Sequence, residues 1–342
     1  MGKIEELDGG FYAKEEVNEL LTGPKGFITA VGAYRGFHDD ILPTDPDFPY
    51  VFINPLVRLY RCVKSECKSY KRIIINVSGK ILAGVALDNS LIVSGVFDNV
   101  RIATKGFIAN IDVDGGKLRW AHGVEGRVKI AGVYGKYVVA YDDTRLLYVD
   151  AKDGEVVKVV RLLGINVIED ARAMGDKIVI TGIAKREKYH HYLAWIDEGG
   201  AQALLHYGGH TRHFAGQSAV VPFAQGLLWI HGCRTWTCIS YFDDAIFKRE
   251  SSTSPRESEF ATRMTYVVDD VYPCTATSYG ESAVVVLGRE RHDGIITTVT
   301  PSGLLPVANI RYFKCGQEPL LLVGDNMVTT SRLLQELEPP KE

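Results

Sequence analysis

The feature that most constrains this chain is a short pattern that recurs along it: two to four apolar residues, often with valine, then a glycine, then polar residues. The copies are GFITAVGAYRG (26–36), SLIVSGVFDN (90–99), KYVVAYDDTR (136–145), KIVITGIAKR (177–186), LLWIHGCRTW (227–236), AVVVLGRERH (283–292) and LLLVGDNM (320–327). The glycine is Gly32, Gly95, Gly182, Gly232, Gly288 or Gly324, and Ala140 replaces it in the third copy. Each run is rich in β-branched residues and nearly continuous in hydrophobicity, the pattern of a strand buried on both faces. Recurrence of this kind points to an array of one supersecondary unit.

A second pattern follows several copies: a strand, a tight turn, and a strand leaving it. Examples are FIANIDVDGGKLRWAHG (107–123), LLYVDAKDGEVVKVVRL (146–162) and YLAWIDEGGAQALLHYG (192–208). The turns hold Asp112, Gly115 and Gly116, then Asp150, Asp153 and Gly154, then Asp197, Gly199 and Gly200. Asp and Gly accept the backbone angles that tight hairpins require. A strand also precedes some copies, as in KILAGVALDN (80–89) and QSAVVPFAQG (217–226).

Four strands per unit and seven units describe an all-β chain folded as a β-propeller of seven four-stranded blades. The compressed last unit (308–338) leaves six blades as the alternative. The segment AKEEVNELL (13–21) has helix-like spacing and equally fits a first inner strand. The expectation is a single domain over 1–342. Its ring is closed by the terminal segments KIEELD (3–8) and RLLQELE (332–338), because an open ring would expose strand edges.

The segment IDVDGGKLRW (111–120) resembles the repeat of quinoprotein-like (PQQ-like) propellers, in which a strand, Asp, a Gly turn and Trp recur. The resemblance extends to three units, and only Trp120 supplies the tryptophan; Val160 and Leu205 stand near that point in the others. It implies architecture alone, since no quinone-binding or calcium-binding motif accompanies it.

Composition bounds the partners. The chain has 342 residues, 46% apolar and 24% charged, with a net charge of −3. That balance lacks the basic excess of a nucleic-acid binder. No apolar run is long enough for a membrane span, and the acidic start is no signal peptide. A cytoplasmic protein is expected. Gln and Asn are scarce, a trait of proteins from hot environments, so a thermophilic source is expected too.

Strands A to D run from channel to rim. The glycine-ended runs are then strand B, and the B–C loops share one face with the D–A crossovers. This face collects Tyr34, Arg35, His38 and Asp39 in the first B–C loop, which is expected over 35–49. It also collects Asp142 and Arg145, His190 in AKREKYHH (184–191), Arg234 and Trp236 in CRTWTC (233–238), and Arg291 and His292 in RERHDG (289–294). The stretch HYGGHTRH (206–213) falls in a crossover and adds His210, Arg212 and His213. Seven of nine histidines can share this face, His191 and His231 among them.

Three chemistries compete for these residues. Zinc needs converging ligands, and H-x3-H-x2-H aligns them only on a helix, which Gly208 and Gly209 oppose. No metal or cofactor is therefore assigned. Asp39, Asp40, Asp142 and Asp143 fit paired catalytic acids at a channel mouth, or ordinary turn chemistry. Tyr, Trp and Arg are the residues of protein-binding hot spots. Cys62 with Cys67 and Cys233 with Cys238 each fit a hairpin disulfide; Cys274 and Cys315 fit a further link. No nucleophile elbow, phosphate loop or H-E-x-x-H motif is present. The preferred reading is a non-enzymatic propeller that engages a partner protein or small polar ligand through the B–C and D–A face. The alternative is a hydrolase or lyase with acids and histidines at the channel mouth.

Overall fold

The structure, a computed structural model, describes residues 4–6, 15–37, 51–63, 66–75, 77–97, 105–162, 165–185, 189–197, 202–206, 217–233, 236–248, 264–268, 270–279, 281–289, 294–310, 320–323, 326–329 and 337–338. It is an all-β propeller. Six sheets each take four consecutive antiparallel strands. The first holds Glu15–Thr22, Ile28–Phe37, Val51–Val63 and Glu66–Ile74; the second Gly79–Leu87, Ser90–Phe97, Gly106–Asp112 and Lys117–Val124. The third holds Lys129–Tyr134, Tyr137–Tyr141, Arg145–Asp150 and Val156–Arg161; the fourth Val167–Met174, Lys177–Lys185, Tyr189–Ile196 and Gln202–His206. The fifth holds Ala219–Phe223, Gly226–Cys233, Trp236–Asp243 and Met264–Val268; the sixth Tyr272–Tyr279, Ser282–Gly288, Gly294–Thr300 and Gly303–Ile310.

A seventh sheet joins Leu320–Val323 and Asn326–Thr329 with Ile4–Glu6, which pairs in parallel with Asn326–Thr329. Leu337–Glu338 adds to the outer strand of the sixth sheet. The first strands touch in cyclic order, each against the next, and Leu320–Val323 meets Glu15–Thr22. In the segment 13–21, which the sequence leaves between helix and inner strand, the described residues belong to Glu15–Thr22, strand A of blade 1. No described helix is long and apolar enough to cross a membrane.

Apolar side chains pack between blades rather than at one centre. One cluster joins blades 1 and 2 around Val57, Leu59, Ile81 and Leu91. Another joins blades 3 and 4 around Val139, Leu146, Ile178 and Ile180. Similar clusters occupy the interfaces of blades 2 with 3, 4 with 5 and 5 with 6. This is the nearest-neighbour packing of a repeat protein.

The recurring glycine has a steric cause. Strand A carries a bulge in blades 1, 2, 3, 4 and 6, at Asn18, Leu82, Ala131, Glu169 and Cys274. Gly32, Gly95 and Gly182 stand opposite the residue preceding the bulge: Val17, Ile81 and Ile168. A Cβ on these glycines would strike the carbonyl oxygen of Glu16, Lys80 or Val167. In blade 3 the glycine lies on strand A instead, as Gly132 at φ 140°, and strand B carries Ala140 opposite Ile130. At Gly32, Gly95 and Gly182 the glycine thus marks the closest approach of strands A and B, beside the bulge.

Gly182→Ala should therefore cost about 2–3 kcal/mol by overpacking. Ala140→Gly should cost only about 1 kcal/mol. Chemical denaturation of the two variants checks this, and equal losses would show that the position does not demand glycine.

Candidate functional site

The two faces differ in how their connections are made. On one face the A–B turns are tight, as at Leu87–Ser90, Tyr134–Tyr137, Met174–Lys177 and Phe223–Gly226. Its C–D turns hold themselves together: Asp112 Oδ1 accepts the N–H groups of Asp114 and Gly115 at 3.1 and 3.2 Å. Lys25 of blade 1 reaches Asp114 of blade 2 at 2.7 Å. Trp120 of blade 2 donates its indole N–H to Ala151 O in the next blade's turn at 3.3 Å. In blade 5 the interval 244–263 separates strands C and D and begins with a short 3-10 helix, Asp244–Lys248.

At the other ends of the strands, the intervals 38–50 and 98–105 separate strands B and C, and 207–218 and 311–319 separate blades; most of these residues lie outside the described ones. The B–C turn of blade 3 and the crossover entering that blade meet there. Arg145 donates to Asp142 Oδ2 from Nε at 2.7 Å and lies 3.4 Å from Glu125 Oε2 through Nη1. Asp142 Oδ1 accepts the N–H groups of Thr144 and Arg145 at 2.9 and 2.8 Å. Both Asp142 oxygens are therefore engaged in shaping the turn. The adjacent Asp143 offers its carbonyl to the Ile168 N–H of blade 4 at 2.6 Å.

Several sequence expectations shift. Tyr34 and Arg35 are not in a loop: strand B continues to Phe37, pairing Tyr34 with Asn54 and Arg35 with Ile53. His190 belongs to strand C opposite Ala184, and Trp236 to strand C opposite Cys233. Pairing runs further than expected because aromatic and β-branched residues keep the ladder going past the glycine. His191 and His231 are interior, at 6% and 0% exposure. His38, Asp39, His210, Arg212, His213, Arg234, Arg291 and His292 lie outside the described residues. Cys233 and Cys238 form a disulfide with Cα atoms 5.7 Å apart. Cys62 stands opposite Cys67 across the C–D hairpin of blade 1, and Cys274 is disulfide-bonded.

Beneath the face lies a central cavity of about 500 Å³, lined by the first strands of six blades. The inner edge of each first strand has backbone groups with no further strand to pair with, and side chains of the preceding blade meet some of them. Asn18 Nδ2 donates to Ile81 O at 2.6 Å, and Glu19 Oε2 accepts Gly84 N–H at 2.7 Å. In blade 4, Glu169 Oε2 accepts Ser218 N–H at 2.9 Å, and Asp170 Oδ2 accepts Val220 N–H at 3.1 Å. Both blades use the bulge residue and its successor. Asp170 also accepts the Tyr141 hydroxyl at 3.4 Å and lies 3.3 Å from Arg172 Nε.

A polar chain leads outward between blades 4 and 5. The Trp229 indole donates to Thr181 Oγ1 at 2.6 Å, Thr181 donates to Ser218 Oγ at 2.9 Å, and Ser218 Oγ donates to Glu169 Oε2 at 2.5 Å. His191 Nδ1 lies 3.6 Å from the same oxygen. His231 stacks on Trp229 with ring centroids 3.6 Å apart. Burial pushes His191 down to about 4; burial and then His191 push His231 down to about 3, so both are neutral near pH 7. Desolvation raises Glu19 to about 7, against Arg172, the Gly84 N–H and Lys129, which favour its ionised form.

These inner-strand charges are not among the residues that the loop pattern singles out. Their signal was present: EEVNELL, RVKIAGV and NVIEDARAM place charges inside strands that otherwise read as apolar.

No protein-family model and no curated protein matches the sequence. Among solved structures, the fold is similar to a chain in the crystal structure of the mitotic checkpoint complex. That match has a TM-score of 0.56 and 10% identity, and covers 98% of this chain and 94% of that one. A second match is the Myceliophteria thermophila Cps50 (Swd1) β-propeller domain, with a TM-score of 0.41 and 10% identity, over 64% of this chain and 68% of that one. These neighbours are WD40-like propellers, and nothing in them is specific to quinoproteins.

Asp170→Ala leaves the Val220 N–H and Arg172 without their acceptor and should cost about 3–4 kcal/mol in denaturant melts; a loss under 1 kcal/mol would contradict this bonding. Glu19 holds its proton longer folded than unfolded, so its contribution is full below pH 4.5 and is lost as pH rises through about 7. Glu19→Gln should gain on the parent across that window, by on the order of 1–3 kcal/mol above pH 7. The two histidines act oppositely: their contribution is full above pH 6.5 and is lost as pH falls toward 4 and 3. Thermal melts from pH 4 to 8 separate the signs.

Proposed function

We propose that this chain is a non-enzymatic propeller scaffold, one closed domain, that holds a partner protein on its B–C and D–A face. The observation that carries the reading is the division of connection lengths. The described strand ends leave long intervals at 38–50 and 98–105 between strands B and C and at 207–218 and 311–319 between blades, while the A–B turns are tight and, of the C–D intervals, 244–263 alone is long. Long loops on a rigid scaffold are where binding residues concentrate. Arg234 and Trp236 are adjacent to the Cys233–Cys238 disulfide, which braces that turn, and both residue types suit a hot spot. The solved structure of a multi-protein complex that contains a similar fold supports the reading by analogy of architecture. The hydrolase or lyase alternative loses one candidate acid, since Asp142 is held by Arg145 and its own turn.

The test is affinity capture from native extract with cross-linking, followed by a binding titration against the recovered partner. Arg234→Ala and Trp236→Ala should each weaken binding about tenfold or more, and Lys25→Ala on the opposite face should not. Loss confined to the Lys25 variant would place the interface on the wrong face for this reading. The absence of any saturable partner would end it.

A further inference from the structure

We propose that the central channel is a binding site for a small organic oxyanion, a phosphate monoester or a carboxylate, held by Lys129 and Arg172 with Arg127 at its entrance. This site is distinct from the loop face and does not rest on the partner-protein reading.

The charged groups of the cavity differ in whether the protein already occupies them. Its lining includes three acids, Glu19, Glu169 and Asp170, and three bases, Arg127, Lys129 and Arg172. Each acid is engaged by the protein itself. Glu19 holds Gly84 N–H. Glu169 holds the Ser218 N–H and hydroxyl. Asp170 holds Val220 N–H and the Tyr141 hydroxyl, with Arg172 Nε beside it. The bases are not engaged in the same way. Among the described residues Lys129 makes no hydrogen bond or ion pair, although it sits half-buried on an inner strand. Arg172 is ion-paired with Asp170, Nε lying 3.3 Å from Oδ1, but that buried nitrogen makes no hydrogen bond.

Unpaired cations withdrawn from water are costly, and burial pulls the Lys129 ammonium below its usual range. An anion would relieve that cost for Lys129 and give Arg172 a second partner beside Asp170. Hydroxyl and amide groups of Gln217, Thr275, Thr277 and Ser278 complete a lining suited to oxygen atoms. The volume of about 500 Å³ is within the ordinary range of small-molecule sites. It exceeds what a bare phosphate fills, so the ligand carries an organic body.

Calorimetric titration of the full chain with inorganic phosphate and, separately, with malonate tests the site. Binding of phosphate alone, of malonate alone, or of both supports it and tells the two head groups apart. Lys129→Met should weaken that binding at least tenfold, with the ligand-free melting temperature unchanged or higher because an unpaired charge has been removed. Arg127→Gln, exposed at the entrance, should weaken binding severalfold without touching the fold, and serves if the Lys129 variant misfolds. Two results would overturn the proposal: neither anion binds, or binding is indifferent to both substitutions.

Discussion

The innermost strand of a blade has a problem that its other strands lack. One edge pairs with strand B; the other looks into the channel, where backbone N–H and C=O groups still need partners. In this chain part of the answer comes from the neighbouring blade. Asn18 and Glu19 reach Ile81 and Gly84; Glu169 and Asp170 reach Ser218 and Val220. The strand A bulge makes this possible. It inserts one residue, so two successive side chains can turn toward the next blade. Beside the same insertion strand A lies close to strand B and excludes a Cβ at Gly32 and Gly182. Bulge, glycine and inter-blade carboxylate are one device.

Around that device the apolar core is divided. Five clusters, one at each described interface from blade 1 to blade 6, hold neighbours together without a common centre. The channel is consequently left polar. The blade 4–5 interface is the most polar of these joints, with Trp229, Thr181, Ser218 and Glu169 in one hydrogen-bonded chain and neutral histidines beside it. Buried hydrogen-bonded chains of this kind fix geometry.

The architecture was legible because it is periodic. The glycine-ended runs became strand B in six sheets, while the seventh, Leu320–Val323, is the inner strand of its sheet; the Asp-Gly turns of blades 2 and 3 became C–D hairpins, since each demands a local backbone geometry that sequence records directly. Strand ends were less legible. Pairing depends on the partner strand, so Tyr34, Arg35, His190 and Trp236 read as loop residues although their ladders continue. The histidines misled for a related reason: a polar residue type suggested a surface, while His191 and His231 are interior. The channel charges were missed because a single carboxylate in an apolar strand looks like an interruption. Its partner, a backbone N–H some 50 residues away, has no sequence signature.

The most direct test of the account is native-state hydrogen exchange at the amides of Gly84, Ser218 and Val220. If carboxylates of the preceding blade cap the channel edge, these three amides exchange slowly, with protection close to that of the strand A–B ladders, and Asp170→Ala releases Val220. Fast exchange of all three in the unaltered protein would mean that the channel edge is open to water and that the inter-blade carboxylates do not hold the ring.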